Sequence, residues 1–226
     1  MASPRLFGMW YHPLYTDGIH PEARFPRDRY QLLLDRLQAS EAKHQMTFNQ
    51  PNPIGRELLL LAHDGAYVDR FLAGELTDKE EKRIGLTPWT PAMIERTQVL
   101  MGGAVEATTH ALQHGGITGN MAGGTHHAHR DFGSGYCVFN DLAVCALHAL
   151  ENLNIERVAI VDDVISTGGT LAAVLQGVER AGASVTSVVT VVEKGEGMTT
   201  LKERFPETAF TSLVTLRMDG ANIIVG

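Results

Sequence analysis

The hydrophobic positions along the first half of the chain repeat mainly with a helical spacing. Apolar residues recur every three or four positions from Arg27 to Ser40 and from Trp89 to Gly116, which predicts two amphipathic helices. The same spacing runs through residues 55–74 but is interrupted at Asp64-Gly65, so a helix in separate pieces is expected there. Ahead of these helices, residues 5–12 form a short apolar run that predicts a first strand.

The longer of the two helices carries its own boundary signals. Thr90 is placed to cap it, Pro91 falls in its first turn, and Gly115-Gly116 can end it. Gly102-Gly103 lie in its middle, where each glycine costs about 1 kcal/mol of helix propensity relative to alanine. We interpret this glycine pair as a close-packing site.

From Gly116 onward, strand-like and helix-like segments alternate. Alternation of this kind predicts an α/β fold with a mostly parallel sheet flanked by helices. The predicted strands cover residues 116–123, 157–163, 184–194, 210–218 and 221–226. The predicted helices cover residues 140–153 and 169–183, the second closed by Gly182. The last three strands follow one another with little helix between them, which departs from the alternation.

Composition and charge exclude several classes of protein. The 226 residues are 44% hydrophobic and 20% charged, as in an ordinary globular protein, and the formal net charge of −7 argues against a nucleic-acid surface. We find no apolar run near the ~20 residues that span a bilayer and no secretory signal. Cys137 and Cys145 do not make a disulfide framework, so we expect reduced thiols in a cytoplasmic protein.

An acidic pair followed by a glycine turn stands between a predicted strand and a predicted helix. The segment VDDVISTGGT, Val161–Thr170, places Asp162 and Asp163 at the end of the strand. Amide groups in a glycine-rich turn at a helix start can bind phosphate, and carboxylates there suit ribose hydroxyls or magnesium. The segment lacks the lysine of a Walker A loop and the spacing of a dinucleotide-binding motif.

This segment resembles the signature of type I phosphoribosyltransferases, and the resemblance runs from about Arg157 to Gly226. The resemblance is nearest to the members of that family that act on purines. It implies that the carboxylates of Asp162 and Asp163 face the hydroxyls of a phosphorylated ribose or nucleotide, with magnesium as a companion ion. It also implies that Lys194 lies near the base. The 5′-phosphate would bind the loop formed by Ser166, Thr167, Gly168, Gly169 and Thr170. The first half of that family, with its pyrophosphate loop, is not found before Arg157.

A histidine cluster precedes the acidic pair. The segment GGTHHAHRDFGSGYCVFND, Gly123–Asp141, carries His126, His127 and His129. Adjacent histidines suit a general-base and electrostatic pair better than two ligands of one metal. Histidines in a loop can also be purely structural.

Residues Leu6 to about Asn154 resemble zinc-dependent histone deacetylases of the bacterial, class IV-like kind. The resemblance is carried by YHPLY, RFPRDRY, AHDGAYV, RIGLTPWTP and the histidine segment itself. It implies an arginase/deacetylase-like fold in which His126 and His127 are the tandem active-site histidines. It also implies that Gly135 and Tyr136 line an acyl channel.

The chain departs from the deacetylase pattern at the acidic pair. That family needs Asp-x-His as zinc ligands, but the position two after Asp162 is Val164 and the position two after Asp163 is Ile165. No histidine follows His148, and no tyrosine follows Tyr136. A catalytic zinc takes three protein ligands. We therefore expect zinc to be absent or substoichiometric.

The two resemblances meet at one predicted strand, which suits both families. We interpret residues 1–155 as a partial deacetylase-like region and residues 156–226 as a partial phosphoribosyltransferase-like βαβββ unit, which could pack as one α/β body. The join could be natural, engineered or computationally generated. Three hypotheses follow: a chimera that binds ribose phosphate with little or no turnover, an active purine phosphoribosyltransferase, and an active zinc deacetylase. Apolar surface left by missing halves would favour self-association.

Overall fold

The computed structural model describes residues 7–158, 160–165, 168–180, 184–219 and 222–225. The chain divides into two compact units, Met1–Ala149 and Leu150–Gly226. Each unit contains a hydrophobic cluster of its own. The predicted boundary between residues 155 and 156 concerns family resemblance, and it stays a prediction.

The first unit is built on a short parallel sheet. Strand β1 (Phe7–Trp10) lies between β2 (Met46–Asn49) and β3 (Thr118–Asn120) and runs parallel to both. The sequence analysis predicted β1 and β3 and missed β2. The helices of this part are α1 (Leu14–Asp17), α2 (Arg29–Ala39), α3 (Arg56–Leu59), α4 (Gly65–Leu72), α5 (Asp78–Ile84), α6 (Met93–His114) and α7 (Asp141–Asn152), with a 3-10 helix over Glu41–Gln45.

The interrupted helix between residues 55 and 74 is confirmed as α3 and α4. The Asp64 carboxylate caps α4 by accepting hydrogen bonds from the amides of Ala66 and Tyr67. Helix α5 begins with a complete capping box between Thr77 and Glu80. These caps explain why several short helices can start and stop within a few residues of one another.

Helix α6 is the longest helix of the described residues and packs with unusual closeness. A Cβ atom at Gly102 would lie 1.9 Å from the Asn52 carbonyl oxygen, and one at Gly103 would lie 2.6 Å from the Tyr15 hydroxyl. The predicted close-packing site is therefore confirmed. Gly115 ends the helix with a φ of 71°, as predicted.

The predicted cap of α6 is wrong. The helix begins at Met93, and the Thr90 hydroxyl instead donates a hydrogen bond of 2.6 Å to the Gly18 carbonyl. Thr90 therefore ties the segment before α6 to the turn after α1. A residue that fits a local capping pattern can therefore form its hydrogen bond with a distant segment instead.

The second unit contains a four-stranded sheet in the order β4-β5-β6-β7. Its strands are β4 (Ile160–Ile165), β5 (Ser187–Lys194), β6 (Ala209–Asp219) and β7 (Asn222–Val225), the first three parallel and the last antiparallel to β6. Helix α8 (Gly169–Arg180) follows β4, and α9 (Gly197–Arg204), which the sequence analysis missed, follows β5. The predicted stop at Gly182 lies outside the described residues.

The predicted fold class is confirmed, because both units have parallel strands flanked by helices. The second unit has one helix more than the expected βαβββ pattern, since α9 lies between β5 and β6. No helix in the described part of the chain is long and apolar enough to cross a membrane.

We predict that Gly102→Ala lowers the free energy of unfolding by about 1–3 kcal/mol, despite the higher helix propensity of alanine. The added methyl group would overlap the Asn52 carbonyl, whose backbone cannot move aside cheaply. Urea unfolding followed by circular dichroism measures the change. Gly65→Ala is the matched control, because a Cβ atom there meets only side-chain atoms at 3.6 Å or more. Equal effects of the two substitutions would contradict the packing argument.

Candidate functional site

The histidine segment is held by the first residue of α7. The Asp141 carboxylate accepts hydrogen bonds from the amides of Gly124 and Thr125, each at 2.7 Å. In return, the Asp141 amide donates to the Thr125 hydroxyl at 3.2 Å. A Cβ atom at Gly123 would lie 2.9 Å from the same carboxylate, so this position accepts glycine alone without a shift. The turn that leads into His126 is thereby fixed.

A second set of hydrogen bonds, from the Asn140 side chain, fixes the backbone of the tandem histidines and of the residue after them. The Asn140 side-chain amide donates to the carbonyl groups of His126 and Ala128, each at 3.2 Å. Its oxygen accepts from the Ala143 amide at 3.0 Å, which caps α7. One asparagine therefore joins the histidine segment to the start of a helix.

A buried histidine completes this support. His63 is 3% exposed, and its Nε2 accepts a hydrogen bond of 2.9 Å from the Asn140 amide. Its Nδ1 must therefore carry the proton, which it donates to the Arg130 carbonyl at 3.2 Å. Burial lowers the pKa of His63 to about 4, so the imidazole is neutral near pH 7. This histidine is structural.

The tandem histidines lie side by side on this support. The rings of His126 and His127 are 4.2 Å apart between centroids, with an angle of 53° between their planes. His126 is half-buried and His127 is exposed. A Cβ atom at Gly135 would lie 3.1 Å from His127 ring atoms, and the φ of Gly135 is 54°. Glycine at this position therefore lets the chain pass directly against the imidazole.

Tyr136 forms the neighbouring wall. Its φ is 68°, an uncommon conformation for a non-glycine residue, and its amide donates to the Ile84 carbonyl at 2.6 Å. The ring stays 44% exposed and packs against Phe25 at 5.2 Å. The histidines thus border an open surface with an aromatic side, which is the kind of surface that an apolar chain can bind.

His129 is separated from the pair by its packing. Its ring stacks on Phe132 with 4.3 Å between centroids, and the Arg83 guanidinium lies 4.7 Å from the centroid of the same Phe132 ring. We assign His129 to this stack and leave His126 and His127 as the candidate proton-transfer groups.

Two other ionisable groups beside the tandem histidines, Cys137 and Asp141, are buried. Burial raises the pKa of the Cys137 thiol to about 11, so this residue is a poor nucleophile at neutral pH. Burial also raises the pKa of Asp141, while its hydrogen bonds to the Thr125 and Gly124 amides oppose the shift. The chemistry available here is that of two imidazoles.

The sequence analysis missed His63, Asn140 and Asp141 as supporting residues. Asn140-Asp141 directly before an amphipathic helix is a capping signal that could have indicated their role. No comparable signal exists for His63, because its partners lie more than sixty residues away in sequence.

The acidic pair lies on β4 in the second unit. The expectation that Asp162 and Asp163 end this strand is wrong, because β4 continues through Val164 and Ile165, which pair with β5. The backbone of Asp162 pairs with Thr190 of β5. Ser166 and Thr167 lie outside the described residues. Gly168 follows with a φ of 74°, and Gly169 and Thr170 begin α8. The described part of the predicted loop, Gly168 to Thr170, therefore stands at the start of a twelve-residue helix.

Lys194 lies at the same edge of this sheet. It is the last residue of β5, one position beyond the pairing of Ile165 with Glu193, and it is exposed. A Cβ atom at Gly168 would lie 2.9 Å from the Gly197 carbonyl oxygen, so the loop after β4 contacts the start of α9. The structure therefore brings the turn after Lys194 close to the turn after β4. The roles of these residues stay predictions.

The residues present do not fit a deacetylase zinc site. Zinc is bound by imidazole, thiolate or carboxylate groups, and a catalytic site needs three of them. The two positions where an Asp-x-His pair could place its imidazole are Val164 and Ile165, which cannot ligate. Within the described ranges, no three histidine, cysteine, aspartate or glutamate side chains converge on one point.

We predict that His63 makes stability depend on pH. Its folded pKa of about 4 lies below the ordinary histidine value of 6.5, so the unfolded chain takes up the proton first as pH falls. The free energy of unfolding should drop by about 2 kcal/mol from near pH 7 to near pH 5 through this group. Urea unfolding at the two pH values tests this. His63→Gln should remove that part of the drop, and His129→Gln should keep it. An unchanged drop in His63→Gln would contradict the assignment.

Comparisons with known proteins agree with part of this picture. Residues 21–178 match the histone deacetylase domain family. An uncharacterized protein of Picosynechococcus sp. is 38% identical over 165 residues, which is 73% of this chain and 54% of that protein. The acetoin utilization protein AcuC of Bacillus subtilis is 30% identical over 161 residues, covering 67% of this chain and 41% of AcuC.

A short stretch is similar to a different enzyme. The hypoxanthine/guanine phosphoribosyltransferase of Methanococcus voltae is 54% identical over 48 residues, which is 21% of this chain and 26% of that protein. The chain spans about half, or less, of the length of the curated relatives it matches. The family match over residues 21–178 covers more than half of the chain and also includes the acidic pair. The chain therefore belongs to the histone deacetylase family and carries a short segment similar to phosphoribosyltransferases.

Proposed function

We propose that this protein binds a phosphorylated ribose or nucleotide at the turn between β4 and α8, with little or no turnover. The residues proposed to bind are Asp162, Asp163, Ser166, Thr167, Gly168, Gly169 and Thr170. In this proposal the deacetylase-like region supplies a structured body without zinc chemistry. In this proposal the two family segments join at β4, because the apolar residues of this strand are compatible with the corresponding strand of either family.

The observation that carries the proposal is the backbone at the start of α8. A parallel strand ends, a glycine takes a left-handed conformation, and a twelve-residue helix begins. Helix amides at such a start have no partner within the helix, and the helix dipole favours an anion there. In open α/β sheets, ligands bind beyond the carboxyl ends of the strands.

Two further facts support a nucleotide rather than a simple anion. The carboxylates of Asp162 and Asp163, on the strand that leads into this turn, suit the hydroxyl groups of a ribose, directly or through magnesium. The 54% identity over 48 residues relates this chain to an enzyme named for transfer of a phosphoribosyl group to hypoxanthine or guanine. The exposed Lys194 at the same sheet edge is our candidate for the base side.

Phosphoribosyl transfer is the second candidate. In that reaction a purine nitrogen forms a bond to C1′ of the ribose while the bond from C1′ to pyrophosphate breaks. Positive charge builds on the ribose, so the pyrophosphate must be clamped and the purine positioned. We identify no pyrophosphate loop before Arg157, and for this reason we propose binding without useful turnover.

Zinc-dependent deacetylation is the third candidate and has the weakest support. The tandem histidines and the aromatic wall at Tyr136 fit it, and membership of the deacetylase family favours it. The absence of a histidine two positions after Asp162 or Asp163, where Val164 and Ile165 stand, argues against it, because the imidazole ligand of the Asp-x-His pair is missing.

Calorimetric titration with ribose 5-phosphate, purine nucleoside monophosphate and pyrophosphorylated ribose, each with magnesium, tests the proposal. We expect weak binding that Gly169→Val abolishes, because the new side chain would occupy the phosphate position. Gly55→Val is the matched control, since a Cβ atom at Gly55 has no neighbour within 4 Å. Identical titrations of the protein and Gly169→Val would refute the site.

The same samples test the second candidate. The assay measures nucleotide formed from purine base and pyrophosphorylated ribose, relative to the background without protein. Nucleotide above that background that is lost in Asp163→Asn would show an active transferase and contradict our proposal.

We also propose that the protein self-associates, because Val191 and Leu213 expose apolar surface on neighbouring strands. Light scattering measures the mass of the particle in solution, and the mass of a single chain would contradict this proposal.

A further inference from the structure

Two histidines lie one turn apart at the end of α6. His110 and His114 are four positions apart on this helix, so their side chains project from the same face. Their ring centroids are 4.4 Å apart, with an angle of 30° between the ring planes. His110 is half-buried and His114 is exposed. We call these two residues the helix pair; neither belongs to the histidine segment that follows β3.

The tautomer of His114 is fixed by a backbone contact. Its Nδ1 lies 3.1 Å from the carbonyl oxygen of His110. A carbonyl oxygen can only accept a hydrogen bond, so Nδ1 carries the proton and Nε2 of the neutral ring carries a lone pair. Histidines that bind metals are usually oriented in this way, by donating the other ring N–H to a carbonyl or carboxylate group.

His110 supplies a second nitrogen lone pair. Its Nδ1 is buried and has no hydrogen-bond partner among the described residues. A proton on this atom would be a buried donor without an acceptor, which is unfavourable. The neutral ring therefore carries its proton on Nε2, and Nδ1 keeps a lone pair that nothing in the described part of the chain satisfies.

The ring of His110 is backed by a fixed wall. It packs edge-on against Trp10, with 5.5 Å between centroids, and Trp10 is buried. The Trp10 indole N–H donates a hydrogen bond of 2.8 Å to the Glu106 carboxylate. The other carboxylate oxygen accepts from the backbone amide and the side chain of Asn52, at 3.0 and 2.9 Å. A ligand residue that is already held in place loses less freedom when it binds.

The electrostatic environment of the helix pair favours a positive charge. His114 is the last of the 22 residues of α6, and the C-terminal end of a helix carries a partial negative charge. Glu106, one turn before His110 on the same face, adds a carboxylate that accepts hydrogen bonds from the neutral groups of Trp10 and Asn52. None of the ion pairs of the described residues includes Glu106.

We propose that the helix pair binds one divalent transition-metal ion, through Nδ1 of His110 and Nε2 of His114. Metal–nitrogen bonds of about 2 Å require two rings that lie within a few ångströms of each other, as these do. The ion reaches the pair from the side of His114, which is exposed, and water completes its coordination. Among the divalent ions that imidazole binds, copper(II) binds most tightly.

The number of protein ligands sets the strength of this site. Two imidazoles are one fewer than a catalytic zinc site uses, so zinc binds the helix pair weakly and is lost on desalting. The site lies within the first unit, and it depends neither on the tandem histidines nor on the proposed nucleotide site.

Titration of the protein with copper(II) chloride, followed by tryptophan fluorescence, tests the proposal. Copper(II) quenches indole emission at short range, and Trp10, one of two tryptophans in the chain, packs directly against His110. We expect the emission to fall saturably at one ion per chain and to recover when a chelator removes the copper. Emission that stays unchanged, or that falls linearly without saturation, would overturn the proposal.

Three variants connect the quenching to the helix pair. His114→Gln should raise the Kd for copper(II) by more than about tenfold, because the second bond of a chelate forms at a high effective concentration. His44→Gln is the matched control and should keep the Kd, since His44 is an exposed histidine on the 3-10 helix. An unchanged Kd in His114→Gln would overturn the assignment. Saturable quenching that is lost in His127→Gln instead would assign the copper to the tandem histidines and would also overturn it.

Electron paramagnetic resonance of the unaltered protein counts the ligands directly. With one equivalent of copper(II), pulsed measurements should show couplings to the remote nitrogens of two imidazoles. The same measurement on His114→Gln should show one imidazole. A single imidazole, or none, in the unaltered protein would overturn the proposal without reference to any variant.

Discussion

The start of α7 is the constraint on which the histidine site depends. Asn140 and Asp141 together bind five backbone groups: the amides of Gly124, Thr125 and Ala143 and the carbonyls of His126 and Ala128. The groups of Gly124, Thr125, His126 and Ala128 lie outside any sheet or helix, and the Ala143 amide lies in the first turn of α7, where it has no partner within the helix. Because buried backbone groups without partners are costly, the loop can adopt this path only while both side chains hold it. The ring geometry of His126 and His127 follows from that path.

Local signals in the sequence predicted the local features of this fold. The glycine pair at Gly102-Gly103, the helix stop at Gly115 and the break before Gly65 were all confirmed, because each depends on backbone conformation or close approach at one position. Strand β2 was missed because two of its four residues, Thr47 and Asn49, are polar, so no apolar run marks it. Helix α9 was missed because its eight residues include few apolar positions.

The site could be predicted only in part, for the same physical reason. The tandem histidines stand next to each other in the sequence, so their pairing was visible. The contribution of His63 was not, since its two partners are Asn140 and Arg130, far along the chain. Thr90 shows the opposite error: it matched a local capping pattern, but its hydroxyl bonds Gly18, which is 72 positions away. Tertiary contacts of this kind leave no local pattern.

The family match and the expected zinc-ligand pattern do not coincide in this chain. The deacetylase match includes residues 21–178, so the replacement of Asp-x-His by Val164 and Ile165 lies inside the region that defines the family. The hydrogen bonds from Asn140 and Asp141 that support the histidine segment are present. The strand in which the family has Asp-x-His instead contains an acidic pair and is followed by a glycine turn. The hydrogen bonds from Asn140 and Asp141 do not involve a metal, so the histidine segment can keep its conformation when the metal-ligand residues differ.

Zinc stoichiometry of the purified protein, equilibrated with excess zinc and then desalted, tests the central claim most directly. His114→Ala is the control, because His114 is the last residue of α6 and is not part of the histidine segment. The account predicts clearly less than one zinc per chain and no deacetylation of an acetyl-lysine peptide. One zinc per chain that persists in His114→Ala but is lost in His127→Ala or Asp163→Asn would contradict it.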